Sequence, residues 1–236
     1  MRSSERHQLK ENQFAVATQE LLTSASEHRN GLVYGGGALV VVLLLVIGGF
    51  YYTQSREQKA SVLFGQALQT YNAQIVPAGT QIPPGVTAFN SAEDRAKAAS
   101  NKLVEVSDKY GRTDSGVMAK YFLGLCAEDM RDNDKAEQYL KDVSDNGNKE
   151  VASLAKSALA SLYHDSNRDQ QAIDIYKQLI EKPTNTVPKA SSQMALADVY
   201  ATKDKTQAKI LYEQIGKENA TNPIGGIANE RMASLK

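Results

Sequence analysis

One cysteine, six prolines, no tryptophan and no net charge set the first limits on this chain. A lone Cys126 excludes an intramolecular disulfide and a cysteine-based zinc cluster, and it suits a reducing or an oxidising compartment. Lys plus Arg equals Asp plus Glu at 27 each: four against four in residues 1–30 and 23 against 23 beyond. With no basic field to collect phosphates, nucleic acid is not an expected partner. The three histidines, His7, His28 and His164, are scattered, and no His-x-x-x-His pair, Walker loop or Gly-x-Ser-x-Gly occurs. Glu128 and Asp129 are neighbours in sequence, and adjacent helix positions do not face each other as a catalytic pair must. Without a constellation of acid, base and nucleophile, the expectation is a chain that is no enzyme and carries no cofactor or metal. Cys126, inside an apolar helical stretch, reads as a small core residue.

What is abundant is apolar and helical. Leu32 to Tyr52 reads LVYGGGALVVVLLLVIGGFYY, with no charged residue between Arg29 and Arg56. A spanning helix needs about 20 mostly apolar residues to cross a hydrocarbon core roughly 30 Å thick. Inside such a helix every backbone polar group is paired, as lipid requires. Tyr34 at one end and Phe50, Tyr51 and Tyr52 at the other stand where amphipathic rings meet headgroups. The run follows about 30 residues of mixed charge, exceeds a signal-peptide core and is followed by no small-residue cleavage site. It is therefore read as a retained anchor over residues 31–53.

Arg2, Arg6, Lys10 and Arg29 precede the span, whereas Arg56 and Lys59 follow it closely. The full basic count keeps the N-terminus in the cytoplasm. Residues 1–30 form the expected cytoplasmic tail. Within it Phe14, Ala17, Leu21, Leu22 and Ala25 recur at helical spacing, predicting a short amphipathic helix that lies on the membrane or docks a partner.

Beyond the span, residues 54–236 form the expected folded domain. Ala60, Leu63, Phe64, Ala67, Leu68 and Tyr71 continue as a helical stripe with no proline to stop it. Ile75–Asn90 holds three of the six prolines and reads as a loop, after which Ser91 and Asp94 form a capping pair. From there the chain repeats itself. Leu123-Gly124, Leu159-Ala160 and Leu196-Ala197 correspond, followed by Ala127, Tyr163 and Tyr200. Ala136, Ala172 and Ala208 recur every 36 residues, each with Leu140, Tyr176 or Tyr212 four positions on. A period of this length means stacked helix pairs, each too thin to bury its own apolar face. The predicted class is all-α, an α-solenoid of about four pairs at 57–110 (interrupted), 115–146, 150–182 and 187–217. A capping helix is expected after Asn222-Pro223.

These positions resemble the tetratricopeptide repeat (TPR), in which a Leu, a small residue and a Tyr mark the first helix of each pair. A small Ala with a large residue four later marks the second. The period is slightly longer than the usual 34, and of the repeats only the third has a proline, Pro183, near the family's closing position. The arrangement of tail, span and degenerate repeats is similar to the YfgM-type family, membrane-anchored TPR proteins associated with the Sec translocon and periplasmic chaperones. That resemblance implies a bacterial inner-membrane protein with its solenoid in the periplasm, a scaffold for protein partners or amphipathic peptide segments, touching lipid through its anchor. The alternative is a periplasmic sensor of small molecules or cell-wall fragments using the same groove. Transferring the repeat register places Tyr121, Leu125, Glu128, Ser157, Ser161, His164, Met194 and Asp198 in that groove. The family's carboxylate clamp needs Lys, Arg and Asn there, and none is present. Glu128 and Asp198 would instead repel a carboxylate guest, so an apolar or amphipathic segment is expected.

Overall fold

The structure, a computed structural model, describes residues 29–77, 79–81 and 85–235. The tail and most of its amphipathic segment therefore lie outside the described residues. Helix α1 runs from Arg29–Tyr71, and the chain divides into two compact units between Ser55 and Arg56. In the first unit α1 is apolar on every side: residues 39–47 are each at least half exposed. This is one helix long and apolar enough to cross a membrane.

In the second unit, α1 from Arg56 onward is paired with α2 (Ala92–Tyr110). Three further pairs follow: α3 (Asp114–Asp129) with α4 (Asn133–Asn146), α5 (Lys149–Asp165) with α6 (Asp169–Glu181), and α7 (Lys189–Lys203) with α8 (Lys205–Glu218). A last helix, α9 (Pro223–Ser234), starts on the Asn222-Pro223 signal and covers the end of the stack. The chain is thus an all-α TPR-like solenoid, with nine helices among the described residues. Successive helices pack on one another, and α3 also touches α5 directly, so these two first helices line a common face.

The capping signals explain where helices start. The Asp94 amide donates to Ser91 Oγ at 3.0 Å, and the Ser91 hydroxyl donates to Asp94 Oδ2 at 2.7 Å. At α3 the Ser115 amide and hydroxyl donate to Glu57 Oε1 at 3.2 and 2.5 Å, so a carboxylate from α1 meets the positive end of another helix. Part of the proline-rich stretch departs from the expected loop. Gln74–Ile75 (β1) and Ala88–Phe89 (β2) pair in parallel and pin its two ends together.

Small residues sit where helices cross. Ala136, Ala160, Ala172, Ala197 and Ala208 are all 0% exposed. A Cβ on Gly124 would stand 2.8 Å from the Leu140 side chain, so the first contact between α3 and α4 admits no side chain there. Leu140, Tyr176 and Tyr212 fill the space beside these crossings, all buried. The turns within pairs also repeat. Arg131 (φ 60°) and Asn167 (φ 59°) both adopt the left-handed conformation, 36 positions apart. Behind them the Asp132 amide donates to the Ala127 carbonyl at 2.8 Å, and the Arg168 amide to that of Tyr163 at 2.7 Å. The turn between α7 and α8 is shorter: one residue, Asp204, separates the helices where three do in the two earlier pairs. Asp204 there closes α7 through its amide to Tyr200 and opens α8 by accepting from Thr206 and Gln207. Leu159 and Leu196 are 37 apart because of the longer connection between α6 and α7, and the shorter turn after α7 returns Ala172 and Ala208 to the 36-residue spacing.

Candidate functional site

The first helices α3, α5 and α7 carry the residues that the repeat register selects. Tyr121 on α3 is half-buried, leans on the central core and stacks edge-on against Phe122 at 5.4 Å. Burial, with Glu128 one to two turns away, raises the Tyr121 hydroxyl above its ordinary pKa. Leu125 is half-buried between them. Burial is also the main reason that the Glu128 carboxyl is pushed up to about 7, with Asp165 and Asp129 adding to it. Asp129 has a cation within reach, Arg95 at 3.3 Å, and no such partner stands beside Glu128 among the described residues.

On α5, Ser157 is half-buried and Ser161 is exposed. His164 is not offered outward: its Nδ1 lies 2.5 Å from Asp169 Oδ1, at the start of α6. Asp169 also meets Lys203 Nζ at 2.7 Å, and these two hydrogen bonds, Lys203 first, hold its carboxyl below the ordinary carboxylate range. On α7, Met194 is only 8% exposed and belongs to the cluster that α7 shares with Tyr212, Ile215 and Ala228. Asp198 accepts from the Tyr212 hydroxyl at 2.5 Å and is paired with Arg231. The structure therefore places Tyr121, Leu125 and Glu128 together on α3. It ties His164 and Asp198 into bonds between neighbouring helices and packs Met194 into the core.

One acidic residue of this face escaped the sequence reading. Asp165 stands 36 positions after Asp129, so the repeat register itself pointed to it. It is exposed, with no ion pair among the described residues. Tyr176 sits on a second helix and is 5% exposed, yet Asp165 and Asp198 both help burial to push its hydroxyl up to about 12.

Among the described residues no group of three or more His, Cys, Asp or Glu is placed to hold a metal ion. Burial, followed by Asp129, pushes the fully buried Cys126 thiol up to about 12, which leaves almost no thiolate to act as a nucleophile at neutral pH.

Comparison with known proteins agrees with this picture. A family model described as a tetratricopeptide repeat-like domain matches residues 26–214. No curated protein matches. A solved structure from Podosopora anserina, described as a kinesin light chain with nearly identical TPR-like repeats, is similar with a TM-score of 0.57. It is 14% identical, over 76% of this chain and 85% of that one, a likeness of fold alone. TPR-like solenoids are scaffolds for protein–protein interaction. The chain belongs to the tetratricopeptide repeat-like domain family.

Proposed function

We propose that the chain is a membrane-anchored TPR scaffold that holds protein partners at a bacterial inner membrane. Residues 1–30 are its cytoplasmic tail, 31–53 its span, and 54–236 its periplasmic solenoid. In this reading it acts as YfgM-type proteins do, beside the Sec translocon and periplasmic chaperones. The observation that carries the reading is the reach of the family match. It begins at residue 26, before the apolar run, and continues through the repeats, so span and solenoid fall within one match. The binding surface is the face of α3, α5 and α7, where Tyr121 and Leu125 offer apolar area. A cleft between α5 and α6, lined by Lys149, Ser153, Lys156 and Lys182, holds none of the face residues. It therefore lends no support to a sensor that works through the groove.

Site-specific photocrosslinking in intact membranes tests the proposal. A crosslinker at exposed Ser161, on the face, is expected to capture translocon components or periplasmic chaperones. One at exposed Lys209, on α8, is not. Equal capture from both positions, or capture of cytoplasmic proteins from Ser161, would sink it.

A further inference from the structure

The cleft between α5 and α6 encloses about 300 Å³, at the lower end of the roughly 300–1,000 Å³ usual for binding sites. Lys149, Ser153 and Lys156 line it from α5, and Gln178, Glu181 and Lys182 line it from the end of α6. Three lysines against one glutamate leave the lining two charges positive. Lys156 is half-buried, whereas Lys149 and Lys182 are exposed. None of the three makes an ion pair or a side-chain hydrogen bond among the described residues, with Glu181 or with any other group. A half-buried ammonium in that position is poorly hydrated as well as uncompensated.

The neighbouring helix pairs answer their own cations at the matching places. Lys120 on α3 stands 36 positions before Lys156, and Asp142 on α4 stands 36 before Gln178. Lys120 Nζ donates to the Asp142 carboxylate, so this pair is closed by an acid from its own second helix. In the pair after the cleft, Glu218 at the end of α8 stands 36 positions after Lys182 and meets Lys189 Nζ of α7 at 3.7 Å. The middle pair keeps the lysine and loses both acids: Gln178 replaces the one, and Lys182 the other. The buried wall differs in the same direction, with Ser153 where the earlier pair has Val117.

We propose that this cleft takes an acidic segment of a partner protein, two neighbouring Asp or Glu residues supplying the carboxylates that α6 lacks. The inner carboxylate pairs with Lys156, as Asp142 does with Lys120, and the outer one meets the exposed Lys149 and Lys182. Two carboxylates balance the two positive charges of the lining, whereas a basic segment would add to them. The cleft holds none of the first-helix face residues, so the inference goes beyond the reading of that face and does not depend on it.

The test uses the full chain in nanodiscs of uncharged phosphatidylcholine, with empty nanodiscs as the reference. Two labelled peptides share one polar sequence and differ at two central positions, Glu-Glu or Gln-Gln. The Glu-Glu peptide is expected to bind about fivefold or more tighter. Lys156→Gln should bring the two peptides to within about twofold by weakening the Glu-Glu peptide alone. Gln178→Asp should do the same from the other side, because it restores inside the chain the acid that the first pair has. Lys120→Gln, at the matching place outside the cleft, should leave the preference intact. Equal binding of the two peptides, or none beyond that of empty nanodiscs, overturns the proposal. A Glu-Glu preference that survives both Lys156→Gln and Gln178→Asp overturns the assignment to this cleft. Displacement of the Glu-Glu peptide by millimolar phosphate, but not by acetate at equal ionic strength, overturns the choice of carboxylate.

Discussion

Leu44 and Leu140 are the same residue in the same kind of helix, yet one is 63% exposed and the other 0%. The difference lies in how their neighbours are spaced. Around Leu44 every position from Leu39 to Ile47 is apolar, so no rotation of the helix hides the run against a single neighbour. Around Leu140 the apolar positions are Ala136 and Val143, with Gln138, Lys141 and Asp145 turned to solvent, so one stripe meets α3 and α5 and closes. A stripe finds its partner within the chain. A helix that is apolar all round must find it outside, and the partner we propose is lipid.

The glycines divide in the same way. A Cβ on Gly37, Gly48 or Gly49 would meet nothing within 4 Å, whereas one on Gly225 would stand 2.2 Å from the Asn219 carbonyl oxygen. Gly116 and Gly124 in the repeats record contact too, although Gly65 does not. Gly37, Gly48 and Gly49, in the apolar run, record none.

The largest effect is expected where the run meets charge. Val41→Arg together with Leu45→Arg places two cations near the centre of the proposed span, each costing about 2.5–3.5 kcal/mol on insertion scales. The doubly substituted chain should leave the carbonate-resistant membrane fraction, and its full retention there would break the lipid side of the comparison. A smaller effect is expected inside a stripe. Ala172→Leu forces bulk into a crossing that is 0% exposed, and overpacking of this kind costs about 1–3 kcal/mol. Gln171→Leu, at the exposed neighbour, should leave the melting temperature nearly unchanged. Equal behaviour of the two would mean that the repeat register is misplaced.

The smallest effect belongs to Glu128, which is neither sealed nor free. Its folded pKa, about 7, lies above the ordinary value of 4.5. Between those two pH values the folded chain keeps a proton that the unfolded chain has lost. Stability from this group therefore falls as pH rises from about 4.5 to 7, and the penalty is complete above 7. Glu128→Gln removes the titration, so its melting temperature should match the parent near pH 4.5 and exceed it at pH 8. A difference that shrinks with rising pH would reverse the assignment. The group keeps part of its water, so the gain stays below the overpacking loss.

The solenoid was legible because Gly124, Ala160, Ala172 and Ala197 have no freedom to vary in size where helices cross, and that constraint prints a period on the sequence. The Ser91 and Asn222-Pro223 signals were legible for a similar reason: a helix start needs an acceptor or a missing amide at one fixed position. The pairing of Gln74–Ile75 with Ala88–Phe89 was hidden, since strands of two residues are too short to show alternation. The face was only partly readable. Spacing identifies which side of a helix a residue occupies but not what reaches across to it. Met194 keeps its register position while α9 helps to bury it, and His164 is claimed by Asp169 from the next helix.

Cys126 has a practical consequence. It is the chain's one thiol, it is fully buried, and its high pKa keeps it protonated. An alkylating reagent therefore finds no target in the folded protein and labels only molecules that have opened around α3, so labelling yield becomes a direct counter of unfolding events. A single cysteine introduced at Ser161 would then be the only fast-reacting site. A spectroscopic reporter could be attached to the first-helix face of the otherwise native chain.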